Sequence, residues 1–273
     1  MQKSSFVALA LAGALFVPSV ASAQFADAIV SYTPGTGFQS GFDTPAAALG
    51  EPSRITPGQF GGPVDPFNPP YLSSQLLSLG AGGSLTVQFN APILNRSESL
   101  FGLDFSIFGN AGFIITNAFD PDTFEWIGTP ATDGSLFGAD AASTSVAVSS
   151  DGINFFTLNP ALAPTLDSYF PTDGSGDFAL PMNPSLNGTS FAGLDLDGIR
   201  ARYNGSGGGV GFDISWAQDG NGDSVLLPSI SFVRVDVLSG NAELDGFAVV
   251  PEPAAVSLFL CGALAFWAVR RQR

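Results

Sequence analysis

The sequence predicts an all-β protein built as an antiparallel β-sandwich, and three observations point there. Apolar and polar residues alternate with a period of two in several stretches, as half-buried strands require. Asp-Gly and Asn-Gly dipeptides, which tolerate the positive φ of tight turns, separate those stretches. Helical periodicity is nearly absent once the first two dozen residues are passed.

In chain order, residues 24–75 read as an irregular segment that wraps the sandwich, since 33–71 is rich in Pro and Gly, as in "GGPVDPFNPPY". In "SLTVQFN", Leu85, Val87 and Phe89 point one way, and Ser84, Thr86 and Gln88 the other. In "LFGLDFSIFG", Phe101, Leu103, Phe105 and Ile107 fall on one face. "STSVAVSS" aligns Val146 with Val148, and "SFVRVDVL" sets Val233, Val235 and Val237 opposite Arg234 and Asp236. The clearest hairpin is "SVAVSSDGINFFTL", with Asp151 and Gly152 at its tip. With 25 Phe against four Tyr and three Trp, a dry Phe-rich core is expected rather than an aromatic platform. The glycine run "NGSGGGVGFD" has Val210 where a dinucleotide loop needs its last glycine, so it reads as a loop joining two strands.

Both ends read as export signals. Lys3, the apolar run "FVALALAGALFV" and "ASA" form a secretory leader, with Ala21 and Ala23 framing cleavage by signal peptidase and the mature chain starting near Gln24. At the other end, residues 254–269 are apolar and Arg270, Arg271 and Arg273 follow. As a helix, that run spans about 24 Å, slightly less than a bilayer core of about 30 Å, with arginines able to snorkel. The order Pro251, Glu252, Pro253, short transmembrane helix, basic terminus resembles the PEP-CTERM sorting signal of bacterial surface proteins. The resemblance implies a transient anchor in the inner membrane, cut near Pro-Glu-Pro by an exosortase-type transpeptidase. The cargo would then reach the cell surface or an extracellular matrix of exopolysaccharide, as in a biofilm.

Residues 24–250 form one domain-sized stretch, carrying 23 Asp and Glu against the five arginines 54, 96, 200, 202 and 234, a net charge of −18. Such a surface repels phosphate, so nucleic acid is excluded as a partner. The stretch has no Lys and no His, and the chain's one Cys, Cys261, sits in the tail. Disulfides, a Ser-His-Asp triad, a Cys-His pair, a Schiff-base lysine and a zinc site are thereby excluded. Of hydrolytic mechanisms, only the two-carboxylate kind survives. No catalysis is expected.

One possible cofactor is calcium. Asp219, Asn221 and Asp223 have the one-three-five spacing of a calcium loop, but Ser224 and Ile230 stand where an EF-hand needs Gly and Glu. A looser site would need Asp213, Asp195 or Asp197 to complete it; the alternative is a plain turn rich in Asp, Asn and Gly.

The blocks "LGEP", "LSLGAGGSLTVQF", "DFSIFGNAGF", "VAVSSDGINFF" and "GFDISWAQDGNGDSVLLPSISFVRV" follow in order. Together they resemble a group of secreted bacterial surface domains whose jelly roll is related to discoidin and galactose-binding modules. That resemblance implies a β-sandwich, often with structural calcium and without catalysis. The chain departs from it at "DPDTFEWIGTPATDGSLFGADAAST", an insertion-like region before the "VAVSSDG" strand. Galactose-binding relatives stack sugars on exposed Trp or Tyr; here Trp126 and Trp216 are the Trp residues of the domain, and "ISWA" reads as a strand that buries Trp216. The expected role is an exported, non-catalytic structural or adhesive surface protein. A carbohydrate-binding module with a defined glycan and a two-carboxylate glycosidase are the alternatives.

Overall fold

A computed structural model describes residues 24–138, 143–166 and 170–251. The leader with Ala21 and Ala23, the sorting residues Glu252 and Pro253, the 254–269 run and Arg270, Arg271 and Arg273 lie outside the described residues.

The protein is an antiparallel β-sandwich. Its larger sheet has six strands in the order Ala28–Thr33, Ser84–Leu94, Ser229–Ser239, Ser143–Ser149, Phe156–Leu158 and Ala217–Gln218. Across the core lies a three-stranded sheet of Val210–Phe212, Phe105–Phe108 and Gly246–Val249. A third ladder pairs Asn241–Leu244 with Leu77–Gly80.

The alternating residues make this core. Leu85, Val87, Val233, Val235, Val146 and Val148 are buried from the large sheet, against Phe105, Ile107, Phe212 and Phe247 of the smaller one. Register places Val235 between Leu85 and Val146, so the branched side chains meet across the ladder. Each such side chain contributes about 1.5–3 kcal/mol by leaving water. On the outer face, Arg234 pairs with Asp236 at 2.8 Å and lies over the Phe155 ring. The hairpin at Asp151 forms as expected: the Asp151 carboxylate accepts backbone N–H bonds from Ile153 and Asn154, and Gly152 takes φ 74°.

Several expectations fail, each for a physical reason. The run from Phe101 is not one strand: Leu100–Gly102 is a 3-10 turn with Phe101 at φ 60°, leaving Phe101 exposed, and the strand starts at Phe105. The strand then buries both faces, because Phe108 packs edge-on against Phe178 in a further small cluster. The wrapping segment begins with an ordered edge strand, Ala28–Thr33. Trp216 packs against the core, but "ISW" is a 3-10 turn, not a strand. The glycine run joins a helix to a strand, since Leu196–Tyr203 is α-helical. Asp195 caps that helix, its carboxylate accepting from Gly198 N–H, and Asn204 closes it in the left-handed conformation.

Candidate functional site

The helix and the insertion-like region together build a cleft of about 530 Å³ on the surface. Its aromatic wall is Trp126. A two-residue hairpin sets the ring: Phe119–Asp120 pairs with Glu125–Trp126, and the Phe119 and Trp126 rings meet edge to face at 5.1 Å. Phe124 closes the tip at φ 58°, 80% exposed, with its ring 6.0 Å from that of Phe119. The base of the hairpin is tied by Asn117. Its amide group donates to the Ile127 and Thr129 carbonyls, both at 3.1 Å, and its side-chain oxygen accepts from Ala131 N–H at 2.7 Å. Trp126 is left 39% exposed and lines the cleft.

The polar wall comes from two other segments. Asp65 accepts backbone N–H bonds from Phe67 and Asn68 at 2.8 and 3.1 Å, all on its Oδ1 atom. Asp195 likewise uses Oδ1 for the helix cap, and Asp197 follows in the first helical turn. The Ala131–Asp195 bridge and the bond from Thr132 N–H to the Leu194 carbonyl bring the helix start beside the Trp126 loop. Asn68, Thr129 and Pro130 complete the rim, with Phe67 and Ile115 between the walls.

Electrostatics fix the character of the cleft. Burial pushes the Asp65 carboxyl up from its ordinary value, opposed by its two backbone N–H donors and by Arg200. Arg200 itself is committed elsewhere: its guanidinium holds Asp173 in a bidentate pair at 2.7 and 3.1 Å, which raises its own pKa. No arginine lines the cleft. Such a site offers a ring face for stacking and acceptor oxygens for hydroxyl or amine donors, with open access from solvent.

Of the residues singled out for calcium, Asp219, Asn221 and Asp223 share one turn, Asp213 starts another, and Asp195 and Asp197 line this cleft. Asp219 spends its carboxylate on its own turn, Oδ1 accepting from Asn221 N–H at 2.8 Å and Asp223 N–H at 3.0 Å. Asp213 accepts from Ser215 N–H at 2.7 Å to start the Ile214–Trp216 turn. Asp195 and Asp197 belong to the Trp126 cleft. Among the described residues, no group of three or more Asp or Glu is arranged to hold a metal ion. Gln24 sits beside the last strand of the described residues, its carbonyl accepting from Val249 N–H at 2.8 Å, two residues before Pro251.

A second cavity, about 490 Å³, is lined by Phe113, Phe170, Met182 and Phe191 among others. The one polar side chain in its wall, Asn187, uses its oxygen to cap the Gly188–Phe191 turn. Asp65 went unnoticed in sequence because it sits in the Pro/Gly-rich segment. Trp126 carried a visible signal, as one of two Trp in residues 24–250.

No family model and no curated protein matches this chain. Among solved structures, the chain is similar to a pectin-binding carbohydrate-binding module, at 11% identity and a TM-score of 0.30, covering 83% of this chain and 94% of that one. A likeness this loose leaves the chemistry of the cleft to its own residues.

Proposed function

We propose that this protein is an exported, non-catalytic carbohydrate-binding domain that grips a polysaccharide of the cell surface or matrix at the Trp126 cleft. The observation that carries the reading is that a partly exposed Trp126 lines one cleft together with Asp65, Asn68, Asp195 and Asp197. A pyranose presents an apolar face to the ring and hydroxyls to the carboxylates, and such mixed surfaces need both. The leader and the tail would deliver it: signal peptidase frees Gln24, and the exosortase-type enzyme cuts near Pro251, Glu252 and Pro253. Mass spectrometry of secreted protein should find no Arg270, Arg271 or Arg273; intact arginines would remove the sorting half.

The binding half is tested on a glycan array followed by titration of the best hit. Trp126→Ala should weaken that hit by about 30-fold, the scale of about 2 kcal/mol for a buried aromatic anchor. Unchanged affinity would move the site elsewhere. Release of reducing ends during the titration would instead assign the Asp65, Asp195 and Asp197 carboxylates a hydrolytic role.

A further inference from the structure

We infer that the Trp126 cleft selects glycans bearing free amino groups over glycans bearing carboxylates, an inference that rests on the carbohydrate-binding reading. The cleft pairs its ring with three acidic side chains, Asp65, Asp195 and Asp197, and with no cationic one. Asp65 and Asp195 each direct Oδ1 to backbone N–H groups, so these donors engage one oxygen of each carboxylate and not Oδ2. A ligand that satisfies these oxygens must donate. A neutral hydroxyl does so; an ammonium does so with a charge-assisted bond, roughly twice as strong. A uronate brings a like charge to the same wall.

Nothing nearby cancels that preference. Arg200 is the cation whose field reaches Asp65 and Asp197, and its charge is already matched by Asp173, a carboxylate that is 2% exposed. Among the described residues, no group of three or more Asp or Glu, these included, is arranged to hold a metal ion. Spread acceptors around an exposed ring suit a sugar with several donors, and the ring itself attracts an ammonium placed over its face.

The experiment is calorimetric titration of the full-length chain with three oligosaccharides of equal length: deacetylated chitosan, its N-acetylated counterpart and polygalacturonate. It is run at low salt and mildly acidic pH, where the amines are charged. Chitosan is expected to bind at least about tenfold more tightly than the acetylated oligomer, with polygalacturonate weakest. Trp126→Ala should weaken chitosan binding by about 30-fold, and Asp197→Asn should erase the preference for chitosan over the acetylated oligomer. Asp219→Asn, the same charge change at a distant turn, should do neither. Equal affinity for the two chitin-derived oligomers with Trp126 still required would overturn the inference and leave the carbohydrate reading standing. Binding of none of the three, together with an empty array, would overturn both. Undiminished chitosan binding in Trp126→Ala would mark bulk attraction to an acidic protein and also overturn the inference.

Discussion

Two buried carboxyl groups, Asp245 and Asp104, bear on how this protein responds to pH. Asp245 is 2% exposed and accepts from Ser53 N–H at 2.8 Å and Ser53 Oγ–H at 2.7 Å; burial pushes its pKa up to about 7. Asp104 accepts from Ile214 and Arg96 N–H groups, and burial raises it to about 6. Both bind a proton more tightly folded than unfolded. Their contribution to stability is therefore complete below the ordinary value of 3.8 and is lost as pH rises through about 6 and then about 7. Asp151 and Asp173 run the other way: hydrogen bonds hold Asp151 low, and Asp173 lies low because Arg200 and Ser175 outweigh its burial, so their contribution is lost as pH falls below about 4. Thermal melts should peak at mildly acidic pH and decline towards pH 8. Asp245→Asn, which keeps the acceptor and removes the charge, should flatten that decline; an unchanged slope would refute the assignment. None of this was legible in the sequence, where Asp245 looks like one more turn residue before a glycine.

At the level of elements, identical dipeptides do different work because their surroundings differ. Asp151-Gly152 makes a hairpin, Asp197-Gly198 opens a helix, and Asp133-Gly134 lies inside the Thr132–Phe137 strand at a register shift. Gly134 has φ 91°, and a methyl group there would collide with the Gly188 carbonyl. Gly134→Ala should thus destabilise by at least about 1–2 kcal/mol from backbone strain alone, read as a lower denaturant midpoint at constant slope. The Asp219 turn predicts a contrasting result. Because its carboxylate already serves Asn221 and Asp223, melts with millimolar calcium and with chelator should coincide, while Asp219→Ala lowers both. A calcium shift of several degrees that vanishes in the variant would establish an ion at this loop. Strands with clean alternation were readable beforehand, since one face meets the core and the other water. The 196–203 helix was not, its eight residues "LDGIRARY" burying Ile199 and Tyr203 alone among them.

On the scale of the molecule, the two ends of the described chain adjoin. Phe25 bridges to Ala248 and packs with Phe108 and Phe178, so residues just after the expected leader complete the smaller sheet beside Pro251. A chain starting at Ala28 should melt lower than one starting at Gln24; equal melts would mean the pairing contributes nothing. By itself the sequence determined the all-β class, the inward face of the long strands and, across residues 24–250, an acidic chemistry free of His, Lys and Cys that argues against most catalytic machinery. These follow from composition and from the period-two geometry of a strand, which are local. The cleft was decided by tertiary structure alone: Trp126 lies 61 residues after Asp65, and Asp195 lies 69 residues after Trp126. They meet because the Ala131–Asp195 bridge and the Pro66 carbonyl bond to Phe113 N–H draw three loops to one corner. No local pattern encodes that meeting, since long-range backbone pairing depends on how the whole core closes.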